Sequence, residues 1–238
     1  MSDSDPYVSP TNYNGLAGVG DEVAFHVGGN MRAGDPYTFT PRVWRYLIDR
    51  FGVSSVMDIG SGRAHAGLFF HRQGMQVICV DGLAVNVDTA LYPSVLHDLT
   101  RGPVRTKVDL VHCQEVVEHV EEAYVDNIIE SFLCGEIIVF THAVPGQGGY
   151  HHVNLQPPQY WIEHMRTRGC LLLEEDTRRV RDLAAQDGGI YLAATGLVFE
   201  NPGIWYSRAW QSAQRQEKTR TPASHPNDRD KANPPVRE

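Results

Sequence analysis

Hydrophobic positions along this chain come in two spacings, and the alternation between them predicts a layered α/β architecture. Val43, Trp44, Leu47, Ile48 and Phe51 recur at the three-to-four interval of a helix with one buried face. Thr40-Pro41 just before them reads as a cap followed by proline at the first helical position. Residues 55–59 form a short run that closes in a glycine turn, the pattern of a buried strand. A helix over 64–73, stopped by Gly74, comes next. Strands are then expected over 76–80, 94–96 and 108–112, a helix over 124–133, a strand over 136–141 and a helix over 158–168. Residues 170–174 read as the start of a further strand and 191–199 as the last one. Strands separated by helices imply βαβ units and a parallel sheet. Runs such as VICV and EIIVF are apolar throughout, as strands covered on both faces should be. The expected fold is therefore a doubly wound, mostly parallel sheet of seven strands with helices on both faces.

The tails break this rhythm. Residues 1–35 are rich in Gly, Ser, Asp and Asn and read as an irregular arm or lid. Residues 36–212 would hold the domain, and 213–238, with almost no large apolar side chain, read as a disordered tail. A chain of 238 residues suits one such domain with a sizeable core. The net charge of -8 and the lack of a Lys/Arg run disfavour a nucleic-acid partner. No apolar stretch approaches the ~20 residues of a membrane span. The polar, acidic N-terminus has no secretory pattern. Cys79, Cys113, Cys134 and Cys170 are widely spaced and form no C-x-x-C pair, so a reducing, cytoplasmic setting is expected.

Ligands of parallel sheets sit beyond the carboxyl ends of the strands, and the chemistry-bearing residues of this chain fall there. The first strand runs into Asp58, Gly60, Ser61, Gly62 and Ala64. The glycines permit a tight turn and close approach of a ligand to the backbone. A dinucleotide loop wants glycine or alanine at the sixth position of G-x-G-x-x-G, and His65 stands there instead. An acid two residues before the first glycine suits a cationic ligand group better than a pyrophosphate. Asp81, followed by Gly82, ends the second strand, where a carboxylate can accept from both ribose hydroxyls. Asp98 and Leu99 follow the third strand and can take an amino group and a ring face. Gln114 and Glu115 follow the fourth.

The segments DIGSGRA, VDG, HDLT and DLVHCQEVVEHV, in that order over about residues 54–141, resemble the class I S-adenosylmethionine-dependent methyltransferases, in particular the small-molecule type. The resemblance implies a Rossmann-like domain with S-adenosylmethionine as cofactor. It puts Asp58, Gly60, Ser61 and Gly62 at the amino-acid end, Asp81 and Gly82 on the ribose, and Asp98 and Leu99 at the adenine. Gln114 and Glu115 would flank the methyl-transfer cavity. Ala64 stands where many members have a third glycine, and as a small residue it should perturb the loop little.

The acceptor side is expected around His142, His151 and His152 with the G-Q-G-G stretch between them. An oxygen or nitrogen nucleophile must lose a proton, and imidazole is the natural base. His151 and His152, beyond the flexible glycines, are favoured over His142. No metal site is expected, because neighbouring histidines on a strand point apart and no carboxylate set accompanies them. His119 reads as a structural or positioning residue near the cofactor. Arg178, Arg179 and Arg181 read as a solvated helix face, with recognition of an acidic substrate group as the sharper alternative. The segment HHVN-x-QPPQYWIEHM resembles a tail found in methyltransferases of sugar and polysaccharide biosynthesis, which points to a small hydroxyl-bearing molecule or saccharide. Two other functions compete: a nicotinamide-dependent oxidoreductase on the same sheet, and a non-catalytic protein that keeps the fold as a scaffold.

Overall fold

In the computed structural model the described residues are 16–18 and 23–204. The expected tail, 213–238, lies outside them, as does most of the N-terminal arm. Seven strands form one sheet: β1 (Ser55–Ile59), β2 (Gln76–Asp81), β3 (Ser94–Leu96), β4 (Val108–Cys113), β5 (Gly135–Phe140), β6 (Leu171–Leu172) and β7 (Leu197–Glu200). Their spatial order is β3-β2-β1-β4-β5-β7-β6. The first five pair in parallel, while β7 runs antiparallel between β5 and β6. The chain reverses direction from the centre of the sheet between β1 and β4, and this is the switch point where parallel sheets take their ligands.

Successive strand residues face opposite ways, so each strand contributes to two cores. Val56, Leu110, Ile137 and Val139 pack under α1 (Pro41–Phe51), α2 (His65–Arg72) and α6 (Glu174–Asp187). Met57, Val111, Ile138 and Phe140 pack under α4 (Val125–Phe132) and α5 (Pro158–Thr167). The short α3 (Ala84–Asp88) follows β2. Helices thus cover both faces, and the doubly wound expectation holds. Close packing of α2 on β2 depends on Gly67, where a Cβ would overlap Cys79 Sγ.

Two elements near the C-terminal end depart from the sequence pattern. The strand expected over 191–199 is split: α7 (Ile190–Thr195) precedes Gly196, and only Leu197–Glu200 is extended. Leu192, Ala193 and Ala194 favour helix, and the apolar run hid that propensity. The strand expected from 170 shrinks to Leu171–Leu172, because Glu174, Glu175 and Asp176 form the acidic first turn of the long α6. The cap of α1 also differs. Thr40 makes no side-chain cap bond; instead Asp187, at the far end of α6, accepts from the Arg42 N–H at 2.8 Å.

Candidate active site

After β1 the backbone turns sharply through Gly60, Gly62 and Ala64, with φ of 66°, 52° and 58°. The Gly60 and Ser61 N–H groups both donate to Val80 O, at 2.8 and 3.0 Å. The Gly62 N–H donates to Asp81 Oδ2 at 2.7 Å, and the Ala64 N–H to Ser61 O at 2.7 Å. Four amides of the loop therefore already have protein acceptors. Ala64 holds the left-handed conformation that a third glycine would hold more easily, at a strain of ~1–2 kcal/mol, so the alanine is less neutral than its size implied.

Register sets the next feature. Asp58 on β1 lies opposite His112 on β4, and both side chains are buried. His112 Nε2 lies 3.2 Å from Trp44 Nε1 and 2.9 Å from Gln114 Nε2. An indole N–H only donates, so His112 Nε2 must accept, and its Nδ1–H donates to Asp58 Oδ1 at 2.7 Å. A neutral, fixed imidazole thus aims the Asp58 carboxylate. Gln114 also donates to Thr38 O, leaving its buried Oε1 without a hydrogen-bond partner. Neither His112 nor Trp44 stood out as a site residue in the sequence. A histidine inside the apolar strand DLVHC was the available signal, since a buried imidazole needs partners.

Two cavities open along this edge of the sheet. The larger, of about 330 Å³, is lined by Asp58, Ser61, Gly62, Gln114 and Asp35 among others. The smaller, of about 60 Å³, is lined by Asp81, Gly82, Asp98 and Leu99. Gly60, Asn30, Glu115 and His119 line both, so the cavities meet there. All ten residues assigned from the sequence to cofactor binding border one cavity or both.

The three acids differ in their partners. Asp81 is held by the Gly62 N–H and, on Oδ1, by the Leu83 N–H at 2.9 Å and Asn86 Nδ2 at 3.1 Å. Burial nevertheless raises its pKa from the usual carboxylate value. Asp98 Oδ1 takes the Thr100 N–H and hydroxyl, each at 2.8 Å, and lies 3.0 Å from His26 Nε2. Burial works against its ionisation, but His26 and Thr100 outweigh it and hold the group below the usual range. Because Asp81 Oδ2 ties the loop to β2 and Oδ1 holds Leu83 and Asn86, Asp81→Asn must turn an amide NH₂ toward one of these N–H donors. The variant should lose about 1–3 kcal/mol in urea unfolding.

A denser cluster stands at the junction. Glu115, at a φ of 54°, accepts from Thr141 Oγ1 at 2.9 Å, and its own N–H donates to the same hydroxyl oxygen at 2.7 Å. Burial pushes its carboxyl up to about 7. Burial, then the Glu115 charge, raises Glu118 well above the usual range. Burial pulls His119 down to about 4, with His152 and His151 adding to the effect, and burial also lowers His152. The Val153 and Asn154 N–H groups both donate to Glu118 O, at 3.0 and 3.1 Å. These bonds bring the histidine loop onto the 3-10 turn Val117–His119, and the His119 and His152 rings lie 5.0 Å apart.

The three histidines proposed from the sequence therefore part company. His152 lines the larger cavity. His151 borders neither; it stacks on Phe25, with its Nε2 3.5 Å from Glu121 Oε1. His142 is buried beside Trp161 and also borders neither. Metal-ligating types do gather, contrary to expectation: Glu118, His119 and His152 offer atoms within 4.8 Å of one another. His152 lines the cavity while His151 does not, and the carboxylate comes from EVVEH, 34 residues before His152. Of the basic cluster, Arg178 and Arg179 are exposed, and Arg181 donates to Gly196 O at 2.8 Å. None of the three lines either cavity. The described part of the arm covers the cleft: His26, Val27 and Gly28 wall the smaller cavity, and Gly29 packs on Tyr150.

No family model and no curated protein matches this chain. Solved structures resemble its fold. A SAM-dependent methyltransferase from Archaeoglobus fulgidus aligns at 16% identity over 71% of this chain and 96% of its own, with a TM-score of 0.49. A TehB-like SAM-dependent methyltransferase from Corynebacterium glutamicum aligns at 20% over 67% and 87%, also at 0.49. The [4+2]-cyclase SpnF aligns at 14% over 81% and 89%, again at 0.49. The chain spans 66% of the length of magnesium protoporphyrin IX methyltransferase from Synechocystis PCC 6803 and 50% of TehB from Haemophilus influenzae. Likeness at this level extends to the fold and assigns no activity.

Proposed function

We propose that this chain is an S-adenosylmethionine-dependent methyltransferase that moves a methyl group to an oxygen or nitrogen of a small molecule or saccharide. The observation that carries the proposal is the lining of the two joined cavities, which is rich in carboxylates. Asp35, Asp58, Asp81, Asp98 and Glu115 all border them, and among the described residues Arg63 is the one arginine or lysine that does. Such a lining attracts a ligand with a sulfonium and an ammonium and repels a pyrophosphate. The loop amides that a dinucleotide would need are bonded to Val80 O, Asp81 and Ser61 O, which weighs against the nicotinamide alternative.

Bound in this cleft, S-adenosylmethionine supplies a methyl group on a good leaving group, so positioning accounts for most of the protein's contribution. Asp58, aimed by His112, is placed for the ammonium end. Asp81 Oδ2, which accepts only from the Gly62 N–H, retains a lone pair for a ribose hydroxyl, and Leu99, beside Asp98, offers an apolar face for the adenine. The acceptor enters the larger cavity. That cavity also takes the amino-acid end of the cofactor at Asp58, and the room left beside it suits a small molecule or the end of a glycan. Buried atoms without a hydrogen-bond partner, Ser61 Oγ, Gln114 Oε1 and Tyr150 OH, belong to residues lining that cavity and suit a hydroxyl-bearing acceptor. The acceptor proton is taken up by Glu115, which borders both cavities. The four described cysteines are buried, free thiols, which is compatible with a reducing, cytoplasmic location.

Thermal unfolding with S-adenosylmethionine, S-adenosylhomocysteine and NAD tests the proposal. Either sulfur nucleoside at 100 times its dissociation constant should add ~2.7 kcal/mol, and NAD should add nothing. Stabilisation by NAD alone would overturn it.

A further inference from the structure

We propose that Glu118, His119 and His152 bind one divalent transition-metal cation at the junction of the two cavities, and that the cation holds an acceptor hydroxyl. The second half rests on the methyl-transfer reading; the first does not. The three side chains offer ligand atoms within 4.8 Å of one another. Metal bonds of about 2.0–2.2 Å put tetrahedral ligands about 3.3–3.6 Å apart, so the three side chains would close by up to about 1.5 Å on the ion. Glu118 is fully buried, and among the described residues its carboxylate has the acid Glu115 beside it but neither another residue's N–H nor a cation on either oxygen. The buried Nδ1 of His119 has no hydrogen-bond partner. A carboxylate so enclosed is costly unless a proton or a cation balances it.

The surroundings fit a metal site as well. His152 Nδ1 sits 3.4 Å from Gln147 O, so a backbone carbonyl steadies one ring nitrogen and leaves the other to bind. Backbone bonds from Val153 and Asn154 to Glu118 O fix the loop carrying His152 against the turn carrying the other two ligands. Two imidazoles and one carboxylate suit Mn²⁺, Co²⁺ or Zn²⁺ better than the oxygen-seeking Ca²⁺ or Mg²⁺. Three protein ligands leave at least one position open. His119 borders both cavities and His152 the larger, so that position faces the acceptor side. A hydroxyl on the cation becomes more acidic, which removes the need for a strongly basic side chain.

Binding of Mn²⁺ to the untagged, chelator-treated full chain tests this, followed by calorimetry and by proton relaxation of water. One equivalent should bind, and relaxation should be enhanced by water exchanging at the open position. His152→Ala and Glu118→Gln should each weaken binding at least tenfold, whereas His71→Ala, on an exposed part of α2, should leave it unchanged. If circular dichroism shows that Glu118→Gln does not fold, His152→Ala on the loop decides alone. No saturable binding of Mn²⁺, Co²⁺ or Zn²⁺, or binding within twofold of wild type in folded variants, would overturn the site. Binding without relaxation enhancement would overturn the open position. S-adenosylhomocysteine binding, measured on the same samples, should persist in His152→Ala. Its loss in the wild type would count against the methyl-transfer reading and leave the metal site standing.

Discussion

Replacing Asp58 with asparagine is expected to weaken binding of S-adenosylmethionine about 5–15-fold while the fold survives. The two properties separate because the Asp58 side chain has two tasks. Oδ1 accepts the His112 Nδ1–H at 2.7 Å, and an asparagine oxygen accepts the same bond. The negative charge, bordering the larger cavity, would be gone. A hydrogen bond to a charged group is worth ~1.5–3 kcal/mol against ~0.5–1.5 for a neutral one, which sets the size of the loss. Asp58→Ala should do more. It strands the His112 N–H in a buried position, and an unsatisfied buried donor costs ~1–3 kcal/mol on top of the lost packing. Equilibrium dialysis with labelled S-adenosylmethionine and urea unfolding of both variants would separate charge from scaffold. Equal affinity in wild type and Asp58→Asn would remove Asp58 from the donor site.

The same pair shows what the sequence conveyed and what it withheld. Asp58, Asp81, Asp98 and Glu115 were legible because each stands at the end of an apolar run, and parallel strands present their carboxyl ends at one edge. Periodicity alone placed β1 and β3 at their observed limits, 55–59 and 94–96. His112 was not legible as a partner of Asp58, since that depends on the β1–β4 register across 54 residues. The junction cluster was hidden for a related reason. His152 reaches Glu118 and His119 through two backbone bonds made by Val153 and Asn154, and no local spacing encodes them. At the C-terminal end, the segment of α7 reads as strand because an apolar run of this length fits a buried strand or a short buried helix equally. Tyr191 on that helix lines the larger cavity, so the misread element hid a residue of the cleft as well.

Gly60→Ala is expected to cost about 2–5 kcal/mol and to abolish binding in the cleft, for two reasons that a second substitution can separate. Gly60 sits at a φ of 66°, where an L side chain adds ~1–2 kcal/mol of strain. A Cβ there would also overlap the Val116 side chain, and overpacking of this kind adds ~1–3 kcal/mol. For a domain of this size the sum should lower the melting temperature by roughly 5–15 °C. Gly60 borders both cavities, so any backbone shift that relieves the overlap displaces the wall at which they meet. Shortening the neighbour in Gly60→Ala/Val116→Ala removes the steric half and leaves the conformational half. The double variant should therefore recover part of the stability lost by the single one, beyond what Val116→Ala does alone. Additive losses in that cycle would mean that Val116 does not set the approach of the loop to β4, and that the backbone angle alone demands glycine at this turn.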